Sequence, residues 1–390
     1  MKQKLLSIAR KLLKGLGFLV TFLSLLVFIG VLGDNKNWLS QFGSIAFPIS
    51  GRLLALLVII SLSCLLGLYL AHRWEKKLSK SLLILMLLSL TALVLGGVEW
   101  SLTKKAVEEN GGRLTLLGEM SIPFTAQPDE VVTYATKEGQ DLTLSVYRNA
   151  EPFSKEKQPV YVYIHGGGWS HGDSESLSGL HREVAKQGYV VFSINYRLAT
   201  SDNPTWEKAT EDIADAMNWI KAHAQDYGGD SDKLILSGES AGGHLDLLYT
   251  GLVSSGKLNA PLPSAVIAMY PAVDLQWISD NARYLTVDPI PGFVETYIGG
   301  SLKEYPERVA AIDPLAYVNA NFPPVYLFHG KKDTMVNIKG SEQFVEQLNQ
   351  AGGNGKLVSL PFENHGINVQ AFVSLLNHYA EEAGLGVVKP

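Results

Sequence analysis

A mostly parallel α/β sheet flanked by helices, preceded by three membrane-spanning helices, is the architecture this sequence predicts. Three observations carry it. From about residue 121 onward, short β-branched and aromatic runs alternate with segments of helical spacing, the mark of βαβ units. Before residue 100 lie three long apolar runs, about 12–32, 47–71 and 81–98, each near the roughly 20 residues a helix needs to cross a bilayer. The mean hydropathy of +0.10 is high for a soluble enzyme, and the excess sits at that one end. The chain of 390 residues therefore divides into a membrane region 1–100, a connector 101–120 and an α/β domain 121–390.

The first apolar run follows Lys2, Lys4, Arg10, Lys11 and Lys14. No small-x-small cleavage site comes after it, and two further runs do, so it reads as an uncleaved anchor rather than a signal peptide. None of the three runs has the charged face of a helix in a soluble bundle. Together with Arg73, Lys76, Lys77 and Lys80 between the second and third runs, the N-terminal cations outnumber Lys36, Arg52, Lys104, Lys105 and Arg113 on the other side. Cytoplasmic loops carry the basic excess, which puts the N-terminus inside and, after three crossings, the α/β domain outside the cell membrane. Trp38 and Trp100 fall near the outer span ends, where interfacial aromatics gather. The connector is polar, with Glu108-Glu109-Asn110-Gly111-Gly112 its most flexible stretch.

A net charge of −5, a pI near 6.0 and the lack of a basic stripe outside the membrane flanks leave no basis for a nucleic-acid partner. The single cysteine, Cys64, lies inside the second apolar run, so no disulfide forms within one chain and no cysteine-ligated metal site is expected.

Within the α/β domain, 131–135 and 142–147 alternate at period two around Glu138-Gly139-Gln140 and predict an opening hairpin. Val160–Ile164 reads as a strand buried on both faces, and 189–194, 233–237, 265–269, 324–328 and 356–360 as further strands. Helices are expected around 177–187, over 206–225 with Ile213, Met217 and Ile220 on one face, over 243–249, over 341–351 and over 367–382. The stretch 277–316 is irregular and rich in aromatics.

Gly238-Glu239-Ser240-Ala241-Gly242 sits between a strand and a helix. A serine on so sharp a turn has strained backbone angles, and flanking side chains would collide unless both positions are glycine. Such a nucleophile needs a base to take its proton, an acid to hold that base in one tautomer, and N–H donors for the developing oxyanion. His365, in the loop after the last strand, is the expected base. Asp333, on the turn after 324–328, is the expected acid, and the chain order Ser…Asp…His is that of an α/β-hydrolase. Gly166, Gly167 and Gly168, directly after a strand, form a loop whose N–H groups can turn toward substrate, with the N–H of Ala241 as a further donor. The oxyanion hole is accordingly assigned to Gly167, Gly168 and Ala241.

Each assignment has a rival. Asp274 also follows a strand after the serine, although a turn residue accounts for it. Glu363 is too local to His365 in the chain. The glycine run lacks the Gly-Lys-Ser/Thr ending of a phosphate loop. His165, His171, His181 and His244 match no metal-ligand spacing, and His165 and His244 more simply orient the oxyanion loop and the helix after the serine. Asn195-Tyr196-Arg197 reads as scaffold beneath the site. Trp169 lines the substrate pocket or packs in the core. No cofactor or metal is implied.

His165-Gly166-Gly167-Gly168-Trp169, Asn195-Tyr196-Arg197-Leu198, Gly238-Glu239-Ser240-Ala241-Gly242-Gly243-His244 and His329-Gly330-x-x-Asp333 together resemble α/β-hydrolase esterases of the hormone-sensitive-lipase-like group. The likeness covers roughly 121–385 and points to the compact bacterial carboxylesterase branch with acetyl- and feruloyl-esterase-like members. It implies an α/β-hydrolase fold, cofactor-free ester hydrolysis and the triad named above. Two departures stand out: the membrane region is foreign to that pattern, and too little sequence precedes the first domain strand to build a helical N-terminal cap. An open site partly covered by 277–316 follows from the second.

The expectation is a membrane-anchored serine esterase that removes short acyl groups such as acetyl from small-molecule or polymer-borne esters outside the cell, with the lipid bilayer as its other partner. A non-catalytic binding or sensing module on the same scaffold, and an amidase or acyltransferase using the same triad, are the alternatives.

Overall fold

The computed structural model describes residues 2–75, 79–149, 156–283 and 292–387. Lys76 and Lys77, used above for orientation, and the 284–291 part of the aromatic-rich stretch lie outside them.

Helices α1 (Lys2–Gly30), α3 (Ser50–Leu70) and α4 (Lys80–Glu109) form a bundle, and α2 (Trp38–Ala46) lies in the link between the first two. Each of the three includes a stretch long and apolar enough to cross a membrane. Their contact is built from small residues and a few large ones. Val27, Phe28, Leu54, Leu57 and Ala92 make a buried cluster, Gly96 leaves room for the Phe28 ring, and Ser61 and Ser89 hydrogen-bond across α3 and α4 at 2.8 Å. Leu62, Leu65, Val94 and Val98 are exposed on the outer faces, apolar surface that water would not favour and that lipid would.

The connector is not the flexible linker expected from its glycines. Helix α4 runs unbroken past Trp100 to Glu109, and Val107 and Leu114 are buried against the α/β domain's own core. Full burial of such a side chain stabilises by about 1.5–3 kcal/mol, which is why glycines here mark close packing: a Cβ at Gly112 would strike Leu375. A short helix, α5 (Leu116–Ser121), then returns to the bundle, where Arg52 donates to the carbonyl of Ile122.

The rest is one eight-stranded sheet. Strands β1 (Glu130–Lys137) and β2 (Gln140–Tyr147) form the expected antiparallel hairpin. Strands β3 (Gln158–Ile164), β4 (Val190–Ile194), β5 (Gly229–Gly238), β6 (Ala265–Met269), β7 (Val325–Gly330) and β8 (Gly355–Leu360) run parallel to one another, in the order β1-β2-β4-β3-β5-β6-β7-β8. Every residue of β3, β4, β6 and β7 is buried, as continuous apolar runs in a sheet covered on both faces should be. The covering helices are α6 (Ser178–Lys186), α7 (Lys208–His223), α8 (Ala241–Ser254), α12 (Ile338–Gln350) and α13 (Val369–Glu382). Ile213, Met217 and Ile220 face the core from α7. Between β6 and β7 the described residues of the stretch expected to be irregular include the short helices α9 (Leu275–Asn281), α10 (Phe293–Ile298) and α11 (Pro306–Ile312). This is an α/β-hydrolase fold. Its loops at the C-terminal strand ends all open on one edge, where ligands of parallel sheets bind.

Candidate active site

Strand β5 ends at Gly238 and α8 begins at Ala241, so Ser240 occupies the turn between them with φ 52° and ψ −117°. Non-glycine residues rarely adopt such angles, and the strain projects the hydroxyl away from the sheet. The neighbouring glycine is required: a Cβ at Gly242 would lie 2.0 Å from the carbonyl oxygen of Ile164.

Three side chains from three strand ends meet here. Nε2 of His365, from the loop after β8, lies 2.9 Å from Oγ of Ser240. Its Nδ1 lies 2.8 Å from Oδ2 of Asp333, from the loop after β7. Burial alone would raise the Asp333 carboxyl, but the His365 charge and hydrogen bonds from His329 and His365 outweigh it and hold the group well below the carboxylate range. Burial likewise lowers His365, and the charge and hydrogen bond of Asp333 overcome this and raise the imidazole above its ordinary value. The three residues named from sequence are therefore brought together with Ser, His and Asp in the order a relay of one proton needs. Asp274 is not among them. It caps α9, accepting from the N–H of Trp277 at 2.9 Å, as a turn residue would. Glu363 is fully buried, and burial, outweighing backbone N–H contacts within its own loop, raises its pKa to about 7.

The glycine loop follows β3. Gly167 has φ 102° and Gly168 φ 59°, and a Cβ at Gly167 would sit 2.1 Å from the His171 carbonyl oxygen. Among the described residues, the N–H groups of Gly167, Gly168 and Ala241 have no intramolecular acceptor. Gly167 and Gly168 border a cavity of about 350 Å³ that Ser240 and His365 also line, and Ala241 follows Ser240 in the chain. Trp169 reaches its wall while 99 % of its surface is buried, with its ring stacked 4.8 Å from Tyr297 and its Nε1 donating to Nδ1 of His244. His244 is held in turn by the Ile312 carbonyl at 2.8 Å, so it links the oxyanion loop to the helix after the serine. His165 stacks on Tyr196, whose hydroxyl donates to the His165 carbonyl. His181 packs between Tyr147 and Tyr163, and burial lowers its pKa to about 3. The Asn195-Tyr196-Arg197 scaffold also forms: Asn195 accepts from the N–H of Ser174, and Arg197 binds buried Asp212 at 2.7 Å.

Several residues at this site had no sequence signal. Tyr270 packs its ring 4.6 Å from that of His365 and donates to Glu239, the residue before the serine, at 2.5 Å. Nε2 of His329 stands 3.3 Å from Oδ2 of Asp333, the same oxygen that meets His365. Its place as the histidine of the His329-Gly330-x-x-Asp333 motif was the signal that could have found it. Phe293, Ile278, Met335 and Val336 form the apolar wall of the cavity from elements separated by about 60 residues in the chain.

Residues 144–348, more than half of the chain, match the model of the family described as BD-FAE. The chain belongs to the BD-FAE family. This BD-FAE protein is 30% identical over 251 residues to an ethyl acetate hydrolase of Pseudomonas putida, covering 61% of this chain and 76% of that one. It is 29% identical over 236 residues to esterase LipC of Mycobacterium tuberculosis, covering 58% of this chain and 57% of LipC. The match thus spans little more than half the length of that relative. Among solved structures, the apo form of Thermogutta terrifontis esterase 2 superposes with a TM-score of 0.53 at 25% identity, covering 69% of this chain and 98% of that one. In each comparison the covered part is well short of the whole chain, which fits a domain carrying extra helices.

Proposed function

We propose that this BD-FAE protein is a membrane-anchored serine esterase that hydrolyses short-chain carboxylic esters through an acyl-enzyme, with Ser240, His365 and Asp333 as its triad. The observation that carries this reading is the pair of distances at His365, 2.9 Å to the Ser240 hydroxyl and 2.8 Å to the Asp333 carboxylate. In the first half-reaction Nε2 of His365 takes the Ser240 proton as Oγ attacks the ester carbonyl. The oxyanion is received by the N–H groups of Gly167, Gly168 and Ala241, and the alcohol leaves with the proton returned from His365. Water then repeats the sequence on the acyl-serine and releases the acid. Removing one such donor typically costs about 3 kcal/mol in the transition state.

The acyl side is assigned to the apolar wall made by Ile278, Phe293, Met335 and Val336 in this cavity. The name of the ethyl acetate hydrolase relative supports a short acyl group such as acetyl. Three helices of membrane-crossing length support the anchor, and the basic residues at their ends support an extracytoplasmic site. The test is hydrolysis of p-nitrophenyl acetate by the detergent-solubilised full chain against its Ser240→Ala variant. Equal rates in the two proteins would sink the reading.

A further inference from the structure

The link between the first two membrane-length helices does not hang free. It seats on the two loops that carry Asp333 and His365. Asn364, fully buried, is the meeting point. Its Oδ1 accepts from the N–H of Thr334 at 2.9 Å, next to Asp333, and from the N–H of His365 at 2.8 Å. Its Nδ2 donates to Oγ of Ser44 at 3.0 Å, and its N–H to the Ser44 carbonyl at 3.2 Å. Ser44, buried on α2, lies 3.2 Å from Oδ1 of Asn35, whose amide donates to the Lys332 carbonyl on the other side of Asp333. Lys332 returns a bond to the Gly33 carbonyl. A few residues away, Asn368 donates to the Pro48 carbonyl at 2.7 Å, and the rings of Phe47 and Phe362 meet at 5.3 Å.

We propose that Ser44 and Asn364 are positioning residues through which the membrane region fixes the catalytic acid and base relative to each other. The proposal rests on the triad reading given above. Two loops on neighbouring strands carry Asp333 and His365, and loops are the mobile part of such a fold. One amide side chain ties both backbones together, and among the described residues its Nδ2 finds its acceptor in Ser44. A buried amide that loses its acceptor carries an unmet donor, so the brace acts as a unit. Without it the Asp333–His365 contact loosens, and misplacement of reacting groups by about 1 Å can cost about 10²-fold in rate.

The test uses the full chain in detergent or bilayers, comparing wild type, Asn364→Ala, Ser44→Ala, and Lys36→Ala as a control on an exposed neighbour of the link. The primary readout is the His365 imidazole pKa, titrated by NMR with labelled histidine and assigned by its loss in His365→Gln. Because Asp333 raises that pKa, loosening the contact lowers it in Asn364→Ala and Ser44→Ala and leaves Lys36→Ala unchanged. With p-nitrophenyl acetate the expected companions are a kcat lower by about 10²-fold in Asn364→Ala and severalfold in Ser44→Ala, with KM within about twofold. The proposal is overturned if both variants keep the wild-type His365 pKa, or if activity falls only in step with the folded fraction. Should Asn364→Ala fail to fold, Ser44→Ala decides alone, since it removes a single hydroxyl. Wild type no faster than Ser240→Ala defeats the esterase reading and leaves the NMR comparison of the brace intact.

Discussion

Oδ2 of Asp333 accepts from Nδ1 of His365 at 2.8 Å while Oδ1 of the same carboxylate accepts from the N–H groups of Met335 and Val336, each at 2.8 Å. The carboxylate is thereby fixed in rotation as well as in place, and it dictates that the proton of a neutral His365 sits on Nδ1. Asp333→Asn keeps the shape and offers an amide instead, which favours the wrong tautomer. A loss of about 10⁴-fold in kcat on p-nitrophenyl acetate is expected, with KM little changed.

The pH dependence of kcat/KM reports the free base. Since Asp333 raises His365 above the ordinary imidazole value, activity should climb with pH through a midpoint above about 6.5. In Asp333→Asn the residual activity should have its midpoint at lower pH. A midpoint that stays fixed would mean that His365 is not the titrating base.

Gly167 cannot carry a side chain without moving the backbone, because φ is 102° and the His171 carbonyl occupies the space. Gly167→Ala should therefore lower kcat by about 10²–10³-fold through a displaced oxyanion donor. The midpoint of thermal unfolding should change far less than the rate, which separates a lost donor from a lost fold.

Glu363 gives a stability prediction with a definite sign. Its pKa is raised by burial to about 7 in the folded chain against about 4.3 when unfolded, so the native state holds a proton that the unfolded chain has released. Stability contributed by the neutral form is complete below about pH 4.3 and is lost as pH rises to about 7. Glu363→Gln, neutral throughout, should flatten the fall of the unfolding temperature across that window. An unchanged slope would assign it to other groups.

Phe293 closes the apolar side of the cavity over Gly168. Phe293→Ala should shift preference toward longer acyl chains, raising the ratio of butyrate to acetate kcat/KM by about tenfold, since one methylene in an apolar pocket is worth about 1–3 kcal/mol.

The meeting of Ser240, His365 and Asp333 was legible because each is marked by its own strand end. Gly238 and Gly242 announce the strained turn at Ser240, and the buried runs of β3, β5, β7 and β8 announce the strand ends that must carry the other parts. The sheet itself followed from the same runs. The cavity wall was not legible, because Ile278, Phe293 and Met335 are ordinary apolar residues whose meeting depends on helices that pack after the sheet has formed. Nor was the role of Asn364 legible: an asparagine beside a histidine reads as a loop residue until Ser44, 320 residues earlier, is placed against it. The connector misled for a related reason. Gly111 and Gly112 look like a hinge in sequence, yet they are small because His378 and Leu375 of α13 press on them.

Helix α4 passes from the apolar bundle into the hydrolase core without a swivel. A domain on a floppy leash samples a volume set by leash length, whereas here one helix runs unbroken from the bundle to Glu109 and packs on the domain. On the proposed membrane-anchored reading, encounters with esters carried in the same lipid sheet would become a search in two dimensions, and the distance of the acyl group from that sheet would become a criterion of selection alongside its chemistry.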